Sequence, residues 1–314
     1  MHVRTTATTL AAARQPADLR SDRHGATEPL SDPRTAAHFS LAASQQPENI
    51  TVDRTGSAYL TFSFARQIVR IAPRRTRACT RHTPPHPRKR APPNLGKAFV
   101  GGIARAEDGT LYVTYATGTA DLTGVWAIRP GGRPHRIAAL PADGLPNGLA
   151  LDQHTHQIYV TDSVHGVIYR LPSHGGAAAV WARGEALEPS TFAGANGLKL
   201  HNGAVWATNL DKGTVLRIPI TPHGTAGTIQ MHATGMPSID DFAFTGRGDT
   251  LLAARDDNQV DLVHPDGTHT AVLTATDGLQ TPTSVAVHGH TVYVPSAAYL
   301  TGKDPNLLVA HLDR

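Results

Sequence analysis

Short strands with alternating apolar and polar positions recur along this chain of 314 residues, and every repeat starts with the same pattern. Each unit consists of an anchor residue, an alternating strand, a tight turn, a second strand, a loop and a third strand. The six anchors are Glu48, Gly101, Asn147, Asn196, Asp240 and Thr283. The second position after each anchor is always apolar, with the residues Ile50, Ile103, Leu149, Leu198, Phe242 and Val285. The fourth position is apolar in five repeats, and Arg105 breaks this column in the second repeat.

The spacing between successive anchors is 43 to 53 residues, and no helical periodicity separates the repeats. Sheet repeats of about 40–50 residues are typical of β-propeller blades. A lone blade cannot bury its two faces, whereas six blades around an axis bury each blade against its neighbours. The pattern therefore predicts an all-β, six-bladed β-propeller. Because the first strand of each blade lies nearest the axis, we expect the anchors to converge at one mouth of the central channel.

The two ends of the chain are predicted to meet in the sixth blade. Residues 1–37 are rich in Ala, Thr, Arg, Asp and Pro without any period, which predicts a disordered N-terminal extension. The last repeat has no fourth strand of its own. A propeller closes its ring by pairing strands from both ends of the chain, so residues 38–43 are expected to supply that outer strand. The propeller itself would then cover residues 38–314.

The segment 73–94 differs from the rest of the chain because it holds seven Lys or Arg residues, no acidic residue and six prolines. Prolines suit a paired strand poorly, so the segment is predicted to be an irregular basic insertion in the first blade. Three interpretations stay open: a solvated disordered insertion, a patch for an anionic partner, and a local reading-frame error. Without these seven positive charges the net charge of +4 becomes −3. The charge therefore does not predict nucleic-acid binding by the propeller.

The composition predicts a cytoplasmic protein without a membrane anchor. Cys79 is the single cysteine, which excludes an internal disulfide and fits a reducing compartment. No run approaches the roughly 18 apolar residues that a membrane span needs. The apolar run at 10–13 is too short for a signal peptide.

Four of the six anchors carry a side-chain oxygen at the same register of the repeat: Glu48, Asn147, Asn196 and Asp240. Calcium takes about 6–8 oxygen ligands and tolerates irregular geometry, whereas a typical zinc site uses Cys or His. We therefore predict a divalent-cation site at the channel mouth, with calcium expected and magnesium, manganese or zinc as alternatives. A competing interpretation is structural, because the Asn-Gly pairs at 147–148 and 196–197 often shape turns.

Five short motifs around the anchors carry a family resemblance. They are Pro47-Glu48-Asn49-Ile50, Pro146-Asn147-Gly148-Leu149-Ala150-Leu151-Asp152, Tyr159-Val160-Thr161-Asp162-Ser163, Ala195-Asn196-Gly197-Leu198 and Ile239-Asp240-Asp241. These motifs resemble the senescence-marker-protein (regucalcin), gluconolactonase and luciferin-regenerating-enzyme superfamily, over about residues 40–314. The resemblance implies a calcium-dependent six-bladed propeller in which Glu48, Asn147 and Asp240 hold the metal. Asn196 matches a further Asn of the diisopropyl-fluorophosphatase and paraoxonase relatives.

The sequence departs from this family at Gly101, where some lactonases of the group place a polar residue that contacts the substrate. The resemblance and the oxygen cluster together predict a metal-dependent hydrolase that opens a lactone or related ester. Water would be activated by Asp240 or a nearby base. His165, on a loop at the same mouth, is the candidate general acid or base, and its alternative is an exposed loop residue. Asp162 and Asn209 end second strands and are predicted to fix the strand ends or to orient metal ligands.

Two other functions stay open for the same fold. A biosynthetic enzyme resembling strictosidine synthase would need a catalytic acid in the pocket. A non-catalytic binding propeller would use calcium only to tie its blades together. The expected partner is a small-molecule lactone or ester, and neither a nucleic acid nor a membrane is expected as a partner.

Overall fold

In the part of the chain that the structure describes, six four-stranded antiparallel sheets form the blades of a propeller. The structure is a computed structural model, and it describes residues 29–72, 78–82, 84–85, 91–92 and 94–313. The only helices in these ranges are three short 3-10 turns, at Leu41–Ala43, Glu185–Leu187 and Ala275–Asp277. Within the same ranges, no helix is long and apolar enough to cross a membrane. The predicted all-β, six-bladed propeller is confirmed.

The strands are numbered in chain order, and each blade contains four of them. They are β1 (Leu30–His38), β2 (Pro47–Val52), β3 (Ala58–Phe62), β4 (Gln67–Ile71), β5 (Ala78–His82), β6 (Phe99–Arg105), β7 (Leu111–Ala116), β8 (Gly124–Ile128), β9 (His135–Ala139), β10 (Pro146–Asp152), β11 (Gln157–Asp162), β12 (Val167–Pro172), β13 (Ala179–Arg183), β14 (Ala195–His201), β15 (Ala204–Asn209), β16 (Thr214–Pro219), β17 (Gln230–Ala233), β18 (Ile239–Phe244), β19 (Leu251–Arg255), β20 (Gln259–Val263), β21 (His269–Leu273), β22 (Ala286–His288), β23 (Thr291–Ser296) and β24 (Asn306–Leu312). Blade one takes β2 to β5, and blades two to five take the next sixteen strands in order.

An N-terminal strand closes the ring, as predicted, but the predicted bounds of that strand are wrong. Blade six has the order β1-β24-β23-β22, and β1 pairs antiparallel with β24 from Leu30↔Leu312 to His38↔Asn306. The strand therefore begins eight residues before the predicted 38–43, and 30–37 belong to the fold instead of the extension. The apolar and polar residues of β1 alternate only weakly because it is an outer strand with two register shifts, one of them around Pro33. Residues 1–28 lie outside the described residues.

The first blade has its fourth strand, so the prediction of an irregular insertion is wrong for part of 73–94. The strand β5 pairs antiparallel with β4, from Ile68↔His82 to Ile71↔Ala78. This stretch falls between Pro73 and Pro84, so every residue in it keeps its backbone N–H group. An outer strand depends on backbone pairing more than on apolar side chains. This explains why the sequence of β5 does not alternate between apolar and polar residues. Most of the remaining segment lies outside the described residues, and its role as a basic patch for an anionic partner stays a prediction.

The hydrophobic core lies between neighbouring blades. One cluster joins Val125 of blade two to Leu149 and Val160 of blade three, and another joins Trp206 of blade four to Phe242 of blade five. Each blade therefore completes its core with side chains from the next blade, as expected of sheets that cannot bury both faces alone. This arrangement holds the six inner strands side by side around the channel.

Candidate functional site

The inner strands carry a β-bulge at the anchor positions. In β10 the register shifts between Pro146 and Leu149, and equivalent shifts occur in β2, β6, β14 and β18. A bulge places one extra residue on one strand and re-aims the side chains beside it. Because the bulge recurs, the anchors of the first five blades share the same backbone geometry at the start of the inner strand.

A glycine follows three of these anchors, at Gly102, Gly148 and Gly197, because the inner strands approach each other closely. A Cβ atom added to Gly148 would lie 2.3 Å from the Asn196 carbonyl oxygen, and one on Gly197 would lie 2.5 Å from Asp241 Oδ1. Both glycines lie inside strands, β10 and β14. The interpretation of the Asn-Gly pairs as turns is therefore wrong, and the glycines serve close backbone approach instead.

Buried threonines on the second strands fix the backbone of the next anchor. The hydroxyl of Thr114 donates to the Asn147 carbonyl oxygen at 2.8 Å, and Thr161 and Thr208 donate to the carbonyls of Asn196 and Asp240, each at 2.5 Å. All three threonine side chains are fully buried. Each of these three anchors is thus held by the blade that precedes it, through a hydrogen bond shielded from water.

The four oxygen-bearing anchors line a single cavity of about 160 Å³, which we call the anchor cavity. Glu48, Asn147, Asn196 and Asp240 are all buried, with exposed fractions between 2% and 7%. The anchor column of the sequence therefore predicts their convergence correctly. Among the described residues, no three His, Cys, Asp or Glu side chains are grouped so that they could hold a metal ion by themselves. A cation in this cavity would therefore need the amide oxygens of the two asparagines as well.

Asp256 adds a third carboxylate to the anchor cavity. It directly follows β19, in a loop that the repeat pattern places at the anchor end of the propeller. The sequence argument did not assign it to the site because the predicted metal ligands all came from the first strand of each blade. The available signal was an acidic residue one place after the second strand, where four other blades have the uncharged residues Ser63, Thr117, Ser163 and Leu210.

Burial raises the pKa values of all three carboxyl groups. The pKa of Glu48 rises to about 8, mainly through burial, with smaller contributions from the charges of Asp256 and Asp241 and an opposing hydrogen bond from Tyr299. The pKa of Asp256 rises to about 7, again through burial first and the charge of Asp257 second. The pKa of Asp240 is raised well above its usual value by burial and by Glu48. The cavity therefore concentrates carboxyl groups without enough positive charge to keep them ionised.

Tyr299 fixes the orientation of Glu48. Its hydroxyl donates to Glu48 Oε2 at 2.6 Å and lies 2.5 Å from Ser63 Oγ. Burial, and then the Glu48 charge, raise the pKa of Tyr299 well above its usual value. Tyr299 therefore keeps its proton and acts as a permanent donor that leaves the other Glu48 oxygen free for a ligand.

Several oxygen atoms around the cavity lack a hydrogen-bond partner. Asn196 Oδ1 and Asp256 Oδ1 are buried without a partner, and the Asp240 carboxylate accepts no hydrogen bond from any described residue. Buried acceptors are normally satisfied by the protein, by water or by an ion. Unsatisfied oxygens combined with crowded carboxyl groups fit a hard divalent cation, which binds oxygen ligands and favours ionised carboxylates.

His165 does not line the anchor cavity. Its Nδ1 atom lies 3.2 Å from Asp162 Oδ2, and its Nε2 atom lies 3.4 Å from Asp143 Oδ1. Asp162 Oδ1 in turn accepts hydrogen bonds from the backbone N–H groups of Leu145, Val164 and His165. Asp162 therefore fixes the end of its strand, and its contact with His165 belongs to that loop.

A second polar cluster fills the channel one position further along the inner strands. Asp241 is 1% exposed, and Lys199 Nζ lies 2.6 Å from both of its carboxylate oxygens. Asn49 Nδ2 and Ser284 Oγ also donate to Asp241 Oδ2, at 2.9 and 2.7 Å. We call these four residues the channel plug. It joins blades one, four, five and six, and Lys199 also lines a separate cavity of about 310 Å³ at the opposite end of the inner strands.

Comparison with known proteins identifies the fold. Neither a protein-family model nor a curated protein matches the chain. Among solved structures, it is similar to a protein assigned as a gluconolactonase, with 16% identity, a TM-score of 0.65, and coverage of 90% of this chain and 92% of that one. It is also similar to regucalcin, a calcium-binding protein from Agrobacterium tumefaciens (15% identity, TM-score 0.64, 86% and 92% covered). A luciferin-regenerating enzyme matches as well (13% identity, TM-score 0.64, 90% and 95% covered).

The chain shares its fold with all three proteins. At these identities the likeness concerns the fold, and it confirms at that level the resemblance noted from the motifs around the anchors. One of the three binds calcium and another is assigned as a gluconolactonase. Because one fold hosts many functions, the function of this chain has to be argued from its own site.

Proposed function

We propose that the chain is a calcium-dependent hydrolase that opens a lactone or related ester in the anchor cavity. The observation that carries this proposal is the convergence of four oxygen-bearing anchors, with unsatisfied acceptors, in one buried cavity. Glu48, Asn147, Asn196 and Asp240 would hold the ion. A bound calcium ion would polarise the carbonyl oxygen of the substrate and stabilise the charge that develops on it.

The residues of the chain would prepare the site for this reaction. Tyr299 orients Glu48 through its hydrogen bond. Asp256, which lines the cavity and has an oxygen without a partner, would accept a proton from an attacking water, and Asp240 would be the alternative base. His165 would act only from outside the cavity lining, so we assign the base to the carboxylates.

The walls of the anchor cavity favour an apolar substrate. Beside the oxygen-bearing residues described above, the lining includes Phe64, Leu95, Phe99, Leu145, Phe192 and Leu210. Gly101 offers no polar group, and a Cβ atom there would lie 2.8 Å from Thr114 Oγ1. A polyhydroxylated sugar lactone would leave its hydroxyl groups without partners against such walls. We therefore propose a lactone or ester with an alkyl or aryl substituent.

Metal add-back tests the proposal. The purified protein is stripped of metal and supplied with calcium, magnesium, manganese or zinc, and its melting temperature and its hydrolysis of alkyl lactones and aryl esters are recorded. We expect calcium to restore both quantities in the parent protein and in Glu107→Gln, an exposed control, but not in Glu48→Gln. Hydrolysis that persists without metal would contradict the proposal.

The raised pKa of Glu48 favours one alternative, because a protonated carboxyl group in an apolar cavity can serve as the catalytic acid of a biosynthetic enzyme. The same experiment separates the functions. Calcium that raises the melting temperature without any hydrolysis would favour a binding propeller, and activity that calcium inhibits would favour acid catalysis.

A further inference from the structure

A cleft lined by three arginines lies between blades one and two, at the end of the propeller opposite to the anchor cavity. Its volume is about 260 Å³, and its charged residues are Arg70, Arg105, Arg129 and Asp108. Arg105 ends the inner strand β6 and Arg129 follows the third strand β8. Since the anchors lie at the starts of inner strands, the two sites are at opposite strand ends. We call this site the arginine cleft.

The protein neutralises the positive charge of the cleft only in part, through the single carboxylate of Asp108, whose pKa is lowered by hydrogen bonds from Thr110 and by the charges of Arg105 and Arg129. Within the described residues, none of the three arginines forms an ion pair with a carboxylate. Asp108 accepts hydrogen bonds from the N–H and hydroxyl groups of Thr110, at 2.8 and 3.0 Å. Glu107, in the same turn, pairs with Arg54. Three guanidinium groups therefore face one carboxylate that already has partners.

Two of the guanidinium groups are held in place by the same aromatic ring. The Arg70 and Arg105 guanidinium carbons lie 5.9 and 5.7 Å from the centroid of Tyr59. The Tyr59 hydroxyl donates to Asp53 at 3.1 Å, and Arg70 Nη2 donates to Ser57 at 2.8 Å. The cations are thus positioned before any ligand arrives, which lowers the entropy lost on binding.

The arginines retain unused hydrogen-bond donors. The Nε atoms of Arg70 and Arg105 are buried without an acceptor, and the Arg129 side chain makes no hydrogen bond to the described residues. Guanidinium groups bind phosphate oxygens in pairs of parallel hydrogen bonds. Apolar side chains of Ile68, Leu111 and Ile128 complete the lining.

We propose that the arginine cleft binds a small phosphate monoester, with its dianionic phosphate between the arginines and its organic part against the apolar lining. This site would account for Arg105, the one residue that breaks the apolar column of the inner strands. It is independent of the anchor cavity and of the reaction proposed there.

Titration of the metal-free protein with phenyl phosphate tests this proposal, with benzenesulfonate as a probe of similar shape that carries one negative charge. We expect saturable binding of phenyl phosphate that weakens as salt is added, and much weaker binding of benzenesulfonate. Arg105→Leu, which restores the residue type of the other repeats, and Arg129→Gln, at an exposed position, should each weaken binding by about tenfold or more. Arg183→Gln, an exposed arginine of blade three, should bind as the parent does.

Three outcomes would overturn the proposal: no saturable binding up to about 10 mM phenyl phosphate, equal affinity for both probes, or unchanged affinity in Arg129→Gln. Because Arg129 is exposed, the last result is informative even if Arg105→Leu folds poorly. Citrate serves as a further arm, and tighter binding of citrate than of phenyl phosphate would replace the phosphate assignment with a polycarboxylate.

Discussion

Removal of the Lys199 ammonium group from the channel plug should destabilise the whole propeller. Asp241 is 1% exposed and Lys199 is 26% exposed, with 2.6 Å between Nζ and Oδ1. Lys199→Met keeps most of the side-chain length but leaves a buried carboxylate without its cation. Removing one partner of a buried ion pair costs about 3–5 kcal/mol. Because Lys199 keeps some solvent contact, we expect a loss near the lower end, about 3 kcal/mol.

Urea unfolding followed by tryptophan fluorescence measures this loss, since Trp206 is fully buried and reports on the fold. Lys303→Met, at an exposed lysine, is the control and should change the free energy of unfolding little. The double variant Lys199→Met/Asp241→Asn should recover much of the loss, because an amide oxygen can still accept from Asn49 and Ser284. A loss below about 1 kcal/mol in Lys199→Met would refute the idea that the plug ties the blades together.

Three further predictions concern the anchor cavity and the strands around it. The pKa values of Glu48 and Asp256 are raised to about 8 and 7, so folding favours the protonated forms of these two groups. As the pH rises from 5 to 8, their ionisation should therefore lower the melting temperature of the metal-free protein. Calcium should abolish this fall, and a flat metal-free profile would contradict the assignment. Tyr299→Phe removes the donor to Glu48 and should weaken calcium binding about 10–100-fold by calorimetry; unchanged affinity would show that Glu48 needs no orientation. Gly148→Ala places a Cβ atom 2.3 Å from the Asn196 carbonyl and should lower the urea midpoint, whereas a midpoint equal to that of the parent would mean that the strands can separate freely.

Positions that recur in every repeat were predicted well from the sequence. The apolar residues two places after the anchors and the oxygen-bearing anchors occupy the same backbone environment several times over. Each repeat is then a separate observation of that environment, so the pattern exceeds chance even though single blades are short. The convergence of Glu48, Asn147, Asn196 and Asp240 on one cavity follows from this repetition, while their role as metal ligands stays a prediction.

Features that occur once were missed or misplaced. The strand β1 pairs with residues more than 260 positions away, and its few buried side chains give no alternation. Asp256 reaches the cavity from a loop, where no sequence period fixes the direction of a side chain. His165 lies in a loop of the same kind, and its contacts with Asp162 and Asp143 keep it outside the cavity lining.

Two adjacent positions of the inner strand have different roles in the channel. The four oxygen-bearing anchors face the anchor cavity. The next position holds either a glycine that permits close approach or a member of the channel plug, as in Asn49 and Asp241. A slip of one residue would exchange these two roles, so the register must be strongly specified. The bulge at the anchor and the threonine hydrogen bonds to the anchor carbonyls supply that specification. The spacing of the candidate metal ligands is therefore set by the strands and by the plug beneath them, before any ion binds.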